Sequence, residues 1–416
     1  MKNNKLIAIL FSIGLLLRLF LAGATLHPDI ASIASADSLL WRKKVFNIYD
    51  YLQTVPKETS VVRVYGRNFF TYPPLAYFLL GGLRALFFPF LSKNIFDKLL
   101  RGAIAFAGRG FSFDLLILKL PYLIFDILIL FLLRKIFKQQ RKRFFAFLLW
   151  WFNPLVVYTS YMVGQFDVIP VFFVVSSLWA YLKKRNFLAA VFLGLGAGLK
   201  MFPLFFLLPL AFFSFKTISG QLKMAAVGVS VYFLTILPFL NSSAFRQNVL
   251  FSNQSQKMLF AQLPVSGAEG IYIFIFLFCL ICYFAFYEKN KSVKLLNNSY
   301  LFILLAFFSV THFHPQWFLW LMPFLIINFI ESNFKTWPMA MAIFFSWLGI
   351  TLLFEPSLSI GLFAPLNKNL FEARGLAEIM PPAFDAFRVK SIFRSALAAS
   401  SLFLVLFSFS YAKKKD

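Results

Sequence analysis

Cysteine and histidine are nearly absent from this 416-residue chain, which has two of the first and three of the second. Cys279 and Cys282 form a single C-x-x-C inside the apolar run Ile271–Tyr287. That spacing points to redox or metal chemistry when a second pair or a polar setting accompanies it. Neither does, so both are read as buried structural thiols. Charge is scarce as well, at 14% of residues, where a soluble domain carries about a quarter. No soluble domain and no internal repeat is visible. The glycines of Gly194–Gly198 lack the G-x-G-x-x-G spacing, and no strand precedes them. They are excluded as a nucleotide loop and read as small residues that let helices pack closely.

Apolar residues fill what is left. They make up 60% of the chain, 60 of them phenylalanine, and the mean hydropathy is +0.76. Many apolar runs approach the roughly 20 residues that cross a bilayer. The sequence is that of a multi-pass integral membrane protein. The net charge of +25 does not mark a nucleic-acid partner, because Lys and Arg gather between the apolar runs. They gather at Lys2/Lys5, Arg134–Arg143, Lys183–Arg185, Lys216/Lys223, Lys289–Lys294, Lys335 and Lys413–Lys415. Basic clusters of this kind mark cytoplasmic loops.

Those clusters draw a topology. The first span, 6–24, starts inside. Residues 25–112 form one long outer loop with short amphipathic helices, and Pro73–Phe90 lies at the interface rather than crossing. A second spanning pair, Pro73–Phe90 plus Leu99–Phe111, is the alternative. Residues 113–411 complete the bundle. Its spans are 113–133, 144–160, 168–182, a short hairpin 187–199 and 204–215, then 224–240, 271–287, 300–311, 317–330, 337–354 and 392–411. The expectation is one all-α domain over 1–416 with about twelve spans (roughly 10 to 14) and both termini cytoplasmic.

The rare polar residues then fall on one side. His27, Asp29, Gln165, Asp167, Lys200, His312 and His314 all lie at the outer ends of spans, although only Lys and Arg clusters set the orientation. Ionisable groups at membrane depth are functional suspects. Asp29 is either a helix N-cap or a general base. His27 either orients Asp29, binds phosphate, or is a polar interface residue. Gly164-Gln165-Phe166-Asp167 is by itself a turn that offers an amide and a carboxylate to the same side. Lys200, amid 29 otherwise uncharged residues, needs an anion unless it snorkels. Asp126, near mid-membrane, either pairs with Lys119 or a neighbouring helix, or serves the site. His312-Phe313-His314 is a poor zinc half-site, and Trp317 and Trp320 suit an aromatic belt equally well.

Several stretches, in order, resemble the C class of integral-membrane glycosyltransferases, in particular its mannosyltransferase-like branch. They are Thr25-Leu26-His27-Pro28-Asp29, Tyr72-Pro73-Pro74-Leu75, Asn153-Pro154 with Gly164-Gln165-x-Asp167, Gly194 to Lys200 with Pro203, and His312-x-His314-x-Gln316-Trp317 with Leu319-Trp320 and Pro323. The resemblance implies a polyprenyl-phosphate-linked sugar as donor and a glycan, lipid or protein as acceptor, within the lipid bilayer. It implies Asp29 as catalytic base, with His27 and Asp167 beside it. Lys200, Gln165, His312, His314, Gln316 and Tyr72 would bind donor phosphate or substrate. A divalent cation, Mg or Mn, would fall to Asp29 and Asp167, although Ile30 stands where a second acid would make a metal pair. The location implied is the cytoplasmic membrane, or the endoplasmic reticulum in a eukaryote. A transporter or lipid flippase is the rival class. The stretch Glu355–Lys390 matches nothing in the resemblance.

Overall fold

The computed structural model describes residues 2–100, 110–381 and 383–413. The alternative span Leu99–Phe111 and the terminal Lys414 and Lys415 fall mostly or wholly outside them. Among the described residues the fold is all-α apart from one antiparallel hairpin, β1 (Gln262–Ser266) and β2 (Glu269–Tyr272).

The principal helices are α1 (Lys2–Ala24), α2 (Pro28–Lys43), α3 (Leu75–Ala85), α4 (Phe111–Ile136), α5 (Gln140–Trp151) and α6 (Pro154–Val163). There follow α7 (Val168–Leu182), α8 (Asn186–Ala197), α9 (Phe202–Ser214) and α10 (Ile218–Phe239). After the hairpin come α11 (Ile273–Tyr287), α12 (Val293–Val310), α13 (Met322–Glu331), α14 (Trp337–Leu352) and α15 (Ala386–Lys413).

Among the described residues, five helices are long and apolar enough to cross a membrane: α1, α4, α10, α12 and α15. The pair α5–α6 makes a sixth, bent by 41° where Asn153-Pro154 interrupts it. Proline removes an amide donor and disfavours helix in the residue before it, and the Asn153 side chain caps the restart by accepting from the Leu155 amide at 2.9 Å. Six shorter apolar helices, α3, α7, α8, α9, α11 and α14, have 10–17 residues. The expected span 317–330 is not one α-helix, since Pro315–Leu321 is 3₁₀ and leads into α13. The count of about twelve is therefore reached only if the short helices cross too, and their length alone does not establish that.

Helix faces follow the residue pattern. On α1, Leu6, Ile9, Ile13, Leu16 and Phe20 recur every three or four residues and stay exposed. This is the apolar stripe a helix turns toward hydrocarbon in a membrane protein. Its other face carries Arg18, buried in an otherwise apolar span. Arg18 Nε meets Asp126 Oδ2 of α4 at 2.7 Å. The Trp150 indole and the Tyr161 hydroxyl donate to the same carboxylate, both at 2.7 Å. An unpaired charge there would cost several kcal/mol. Asp126 is thus bound to a neighbouring helix, not to Lys119. Lys119 donates instead to the carbonyls of Thr25 at 2.6 Å and Tyr161 at 2.8 Å, tying the start of the first loop to the bundle.

Close helix packing at the glycines is realised at Gly194, where an added Cβ would lie 2.5 Å from the Gly228 carbonyl oxygen of α10. The thiols are only half as expected: Cys282 is buried, but Cys279 is exposed on α11.

The first loop is helical, as its amphipathic pattern suggested. Besides α2 it holds Ile48–Thr54, Ser60–Tyr65, α3 and Ile95–Leu100. With 11 residues, α3 spans only about 16 Å, too short to cross about 30 Å of hydrocarbon alone. It packs on α2, and buried Arg84 of α3 pairs with buried Asp37 of α2.

Candidate functional site

The loops at one end of the bundle enclose a cavity of about 390 Å³, within the usual range for small-molecule sites. His27, Asp29, Tyr72, Lys200, His314 and Gln316 all line it. These residues come from four separate stretches of chain, yet one space collects them.

Asp29 stands in the first turn of α2, and His27, not Asp29, is the N-cap. The His27 Nδ1 accepts from the Asp29 amide at 3.2 Å, so its proton is on Nε2. Burial is the main influence lowering the His27 pKa, which keeps the ring neutral at ordinary pH. The Asp29 carboxylate is a third exposed. Its Oδ2 accepts from the side-chain amides of Gln165 and, at 3.4 Å, Gln316. The Gln165 amide also reaches the Tyr72 hydroxyl at 3.3 Å. These neutral donors fix the orientation of Asp29 without neutralising it.

Gly164 makes the Gln165 contact reachable. Its φ is +76°, and a Cβ there would lie 2.9 Å from Ile30 Cδ1 and 3.0 Å from Lys119 Cε. Only glycine turns the chain this way at low cost, and the turn brings α6 back over α2.

Lys200 and Asp167 differ from expectation. Lys200 neither snorkels nor waits for an anion. It is buried, with Nζ 2.7 and 2.8 Å from the two Asp167 oxygens. The Trp320 indole donates to Asp167 Oδ1 at 2.6 Å, and the Lys200 ammonium lies 4.8 Å from the Phe166 ring centre and 5.1 Å from that of Tyr72. Asp167 has both oxygens engaged and does not line the cavity. Among the described residues, no three of His, Cys, Asp and Glu gather closely enough to hold a metal ion. With Asp167 closed on Lys200, Asp29 and Asp167 do not fit a divalent-cation site.

The two late histidines part company. His314 faces the cavity, its Nε2 3.3 Å from Lys257 Nζ. Burial first, and Lys257 second, lower its pKa to about 4. His312 is only partly exposed, does not line the cavity, and lies 3.5 Å from the Arg394 guanidinium. Trp317 and Trp320 stack with centroids 5.4 Å apart, and Phe202 stacks on Trp320 at 4.1 Å. The aromatic pair thus forms one wall of the cavity rather than a belt on the surface.

Two lining features lay outside the sequence-level candidates. Ser252, Gln254 and Ser255 come from the polar run Ser252–Lys257 between α10 and the hairpin. Six successive polar residues between Phe251 and Met258 were the available signal. Glu355, the first residue of the stretch that matched nothing, also lines the cavity.

A family model for glycosyltransferase family 87 matches residues 70–287. No curated protein matches the chain. The matched stretch covers Tyr72, Gln165, Asp167, Lys200 and Lys257. Asp29 and the His312–Trp320 segment lie on either side of it and reach the cavity through the fold.

Proposed function

The chain belongs to glycosyltransferase family 87, and from that premise we propose a specific transfer. This membrane glycosyltransferase moves a hexose or pentose, mannose favoured, from a polyprenyl-phosphate carrier to a glycan, lipid or protein acceptor, with Asp29 as general base. The whole chain acts as one domain in the cytoplasmic membrane, or the endoplasmic reticulum in a eukaryote. The cavity faces outward and both termini are cytoplasmic. The family disfavours the transporter or flippase reading.

One observation carries the assignment of the base. Asp37, Asp126 and Asp167 each meet a buried cation: Arg84, Arg18 and Lys200. Asp29 meets only neutral amides and a neutral imidazole, and it faces the cavity. A carboxylate closed on a buried cation is not free to take up a proton, whereas the amide hydrogen bonds of Asp29 both fall on Oδ2 and leave Oδ1 to accept one. An acceptor hydroxyl within reach of Asp29 gives up its proton as its oxygen attacks the anomeric carbon. The carbon–oxygen bond to the carrier phosphate breaks on the opposite face, and the phosphate takes that electron pair.

The leaving phosphate needs positive charge. Lys257, beside His314, supplies a cation without a carboxylate partner among the described ion pairs, so the phosphate sits on that side of the cavity. Lys200 contributes from within its pair with Asp167, and Tyr72 and Gln165 hold the Asp29 side. The aromatic wall of Trp317 and Trp320 offers a flat apolar face to the sugar ring or to the first isoprene units.

The test is single-turnover transfer from radiolabelled polyprenyl-phosphate sugars by purified, folded protein. Asp29→Asn preserves size and removes the base. It should still bind donor and lose about 10²–10⁴-fold in turnover. Near-normal transfer by this variant rejects Asp29 as the base.

A further inference from the structure

We infer that Lys390 and Arg394 of α15, with His312 beside them, form a second anion site at the rim of the cavity, built for a lipid phosphate of net negative charge at the membrane surface. Neither cation lines the cavity, and no role described above involves them.

Lys390 and Arg394 are four residues apart on one helix, so they share a face. Like charges at that spacing repel and destabilise the helix. Among the described residues neither forms an ion pair; the acid felt most directly by Lys390 is Glu355, which does not come within ion-pair distance. An anion between them would convert the repulsion into attraction.

A basic residue serving only as a membrane-surface anchor extends into water. Arg388, two residues before Lys390, does so: its side chain is 87% exposed and lies 3.7 Å from Asp385. Lys390 and Arg394 turn inward and are half-buried. The Lys390 ammonium sits 4.3 Å from the Phe354 ring centre, and the Arg394 guanidinium 5.0 Å from that of Phe313. These rings lead straight to the cavity: Phe354 precedes Glu355, and Phe313 precedes His314.

Arg394 reaches the Thr311 carbonyl at 3.4 Å and His312 Nδ1 at 3.5 Å, both at the limit of a useful bond. The buried Thr311 hydroxyl has no partner. A guanidinium matches two phosphate oxygens at once, and its strong bonds are not made within the chain.

Two ligands share this chemistry: the phosphate of the sugar carrier, and the headgroup of an anionic bilayer phospholipid. The full chain is purified into nanodiscs of phosphatidylcholine, with or without phosphatidylglycerol. Lys390→Gln/Arg394→Gln is compared with wild type, with Arg388→Gln, and with the charge-keeping Lys390→Arg/Arg394→Lys. Native mass spectrometry reads retained phosphatidylglycerol, and transfer assays read donor KM and kcat. If the bilayer lipid is the occupant, the Gln pair loses selective retention of phosphatidylglycerol, about fivefold for each cation, while donor KM in phosphatidylcholine stays unchanged. If the carrier is the occupant, donor KM rises in both bilayers with kcat preserved. The charge-keeping pair should restore most of either loss, and Arg388→Gln should change neither.

Wild-type protein gives a reading that does not depend on the variants folding. Its melting temperature in detergent should rise with phosphatidylglycerol or polyprenyl monophosphate and not with phosphatidylcholine. The proposal is overturned if neither anion raises it, or if the folded Gln pair matches wild type in both retention and KM, or if Arg388→Gln falls equally.

Discussion

Lys200 closes on Asp167 through both carboxylate oxygens, at 2.7 and 2.8 Å, across 33 residues of chain. The pair locks the end of α8 to the start of α7 behind the cavity wall, and Trp320 completes it. Each charge therefore depends on the other for its burial. Lys200→Ala leaves Asp167 buried and unpaired, which should cost about 3–5 kcal/mol of stability. Asp167→Asn with Lys200→Gln removes both charges and should recover most of that loss in thermal unfolding. If Lys200→Ala melts like wild type, the pair is not structural and Lys200 is free to serve the donor alone.

Gln165 gives a second handle on Asp29. Gln165→Glu replaces a neutral donor with a carboxylate against Asp29, and like charges raise a carboxyl pKa. The acid limb of transfer against pH should move upward by about one unit or more, while the alkaline limb stays put. An unmoved acid limb means that the titrating base is not Asp29.

The turn at Gly164 predicts a stability difference between two glycines. Gly164→Ala forces a Cβ onto a backbone with φ of +76° and into contact with Ile30 and Lys119. It should cost about 1–3 kcal/mol and displace Gln165 from Asp29, lowering both melting temperature and turnover. Gly82→Ala adds its Cβ in open space within α3. It should be neutral or slightly stabilising, since alanine favours helix by up to about 1 kcal/mol.

His312 and His314 predict an acid sensitivity of the fold. Burial, then Lys257, brings both pKa values to about 4, below the usual value near 6.5. A base with a depressed folded pKa leaves the unfolded chain binding more protons. Stability from this source is complete above about pH 6.5, and it is lost as pH falls through about 4. His312→Gln/His314→Gln should therefore lose less melting temperature than wild type between pH 7.5 and 4.5. An equal loss in both proteins assigns the acid sensitivity to other groups.

The orientation drawn from the basic clusters is tested by reporters. A fusion after Arg143 or Lys184 should read cytoplasmic, and one within Asn241–Gly270 external. An external reading at Arg143 would reverse the whole molecule and put the cavity on the cytoplasmic side, against the proposed donor leaflet.

Composition and periodicity determined the membrane class and the all-α character, because transfer to a bilayer is a sum over local residues and needs no knowledge of partners. The ordered polar stretches also held the superfamily and six site candidates that line the cavity, although Asp167 and His312, at span ends on the same side, stay out of it. Pairing is another matter. Which cation neutralises which acid depends on distances between helices, and sequence spacing does not carry these. Lys119 sits two turns from Asp126 on the same helix, yet Arg18 of α1 takes that acid. Lys200 looked like an unsatisfied cation only because Asp167 lies on another helix. The division between His314 and His312, two residues apart with different neighbours, was likewise settled by the tertiary structure. In an extended chain residues two apart share a side, so spacing alone would have sent both rings to the cavity; the packed surroundings part them, His314 against Lys257 and His312 against Arg394 of α15.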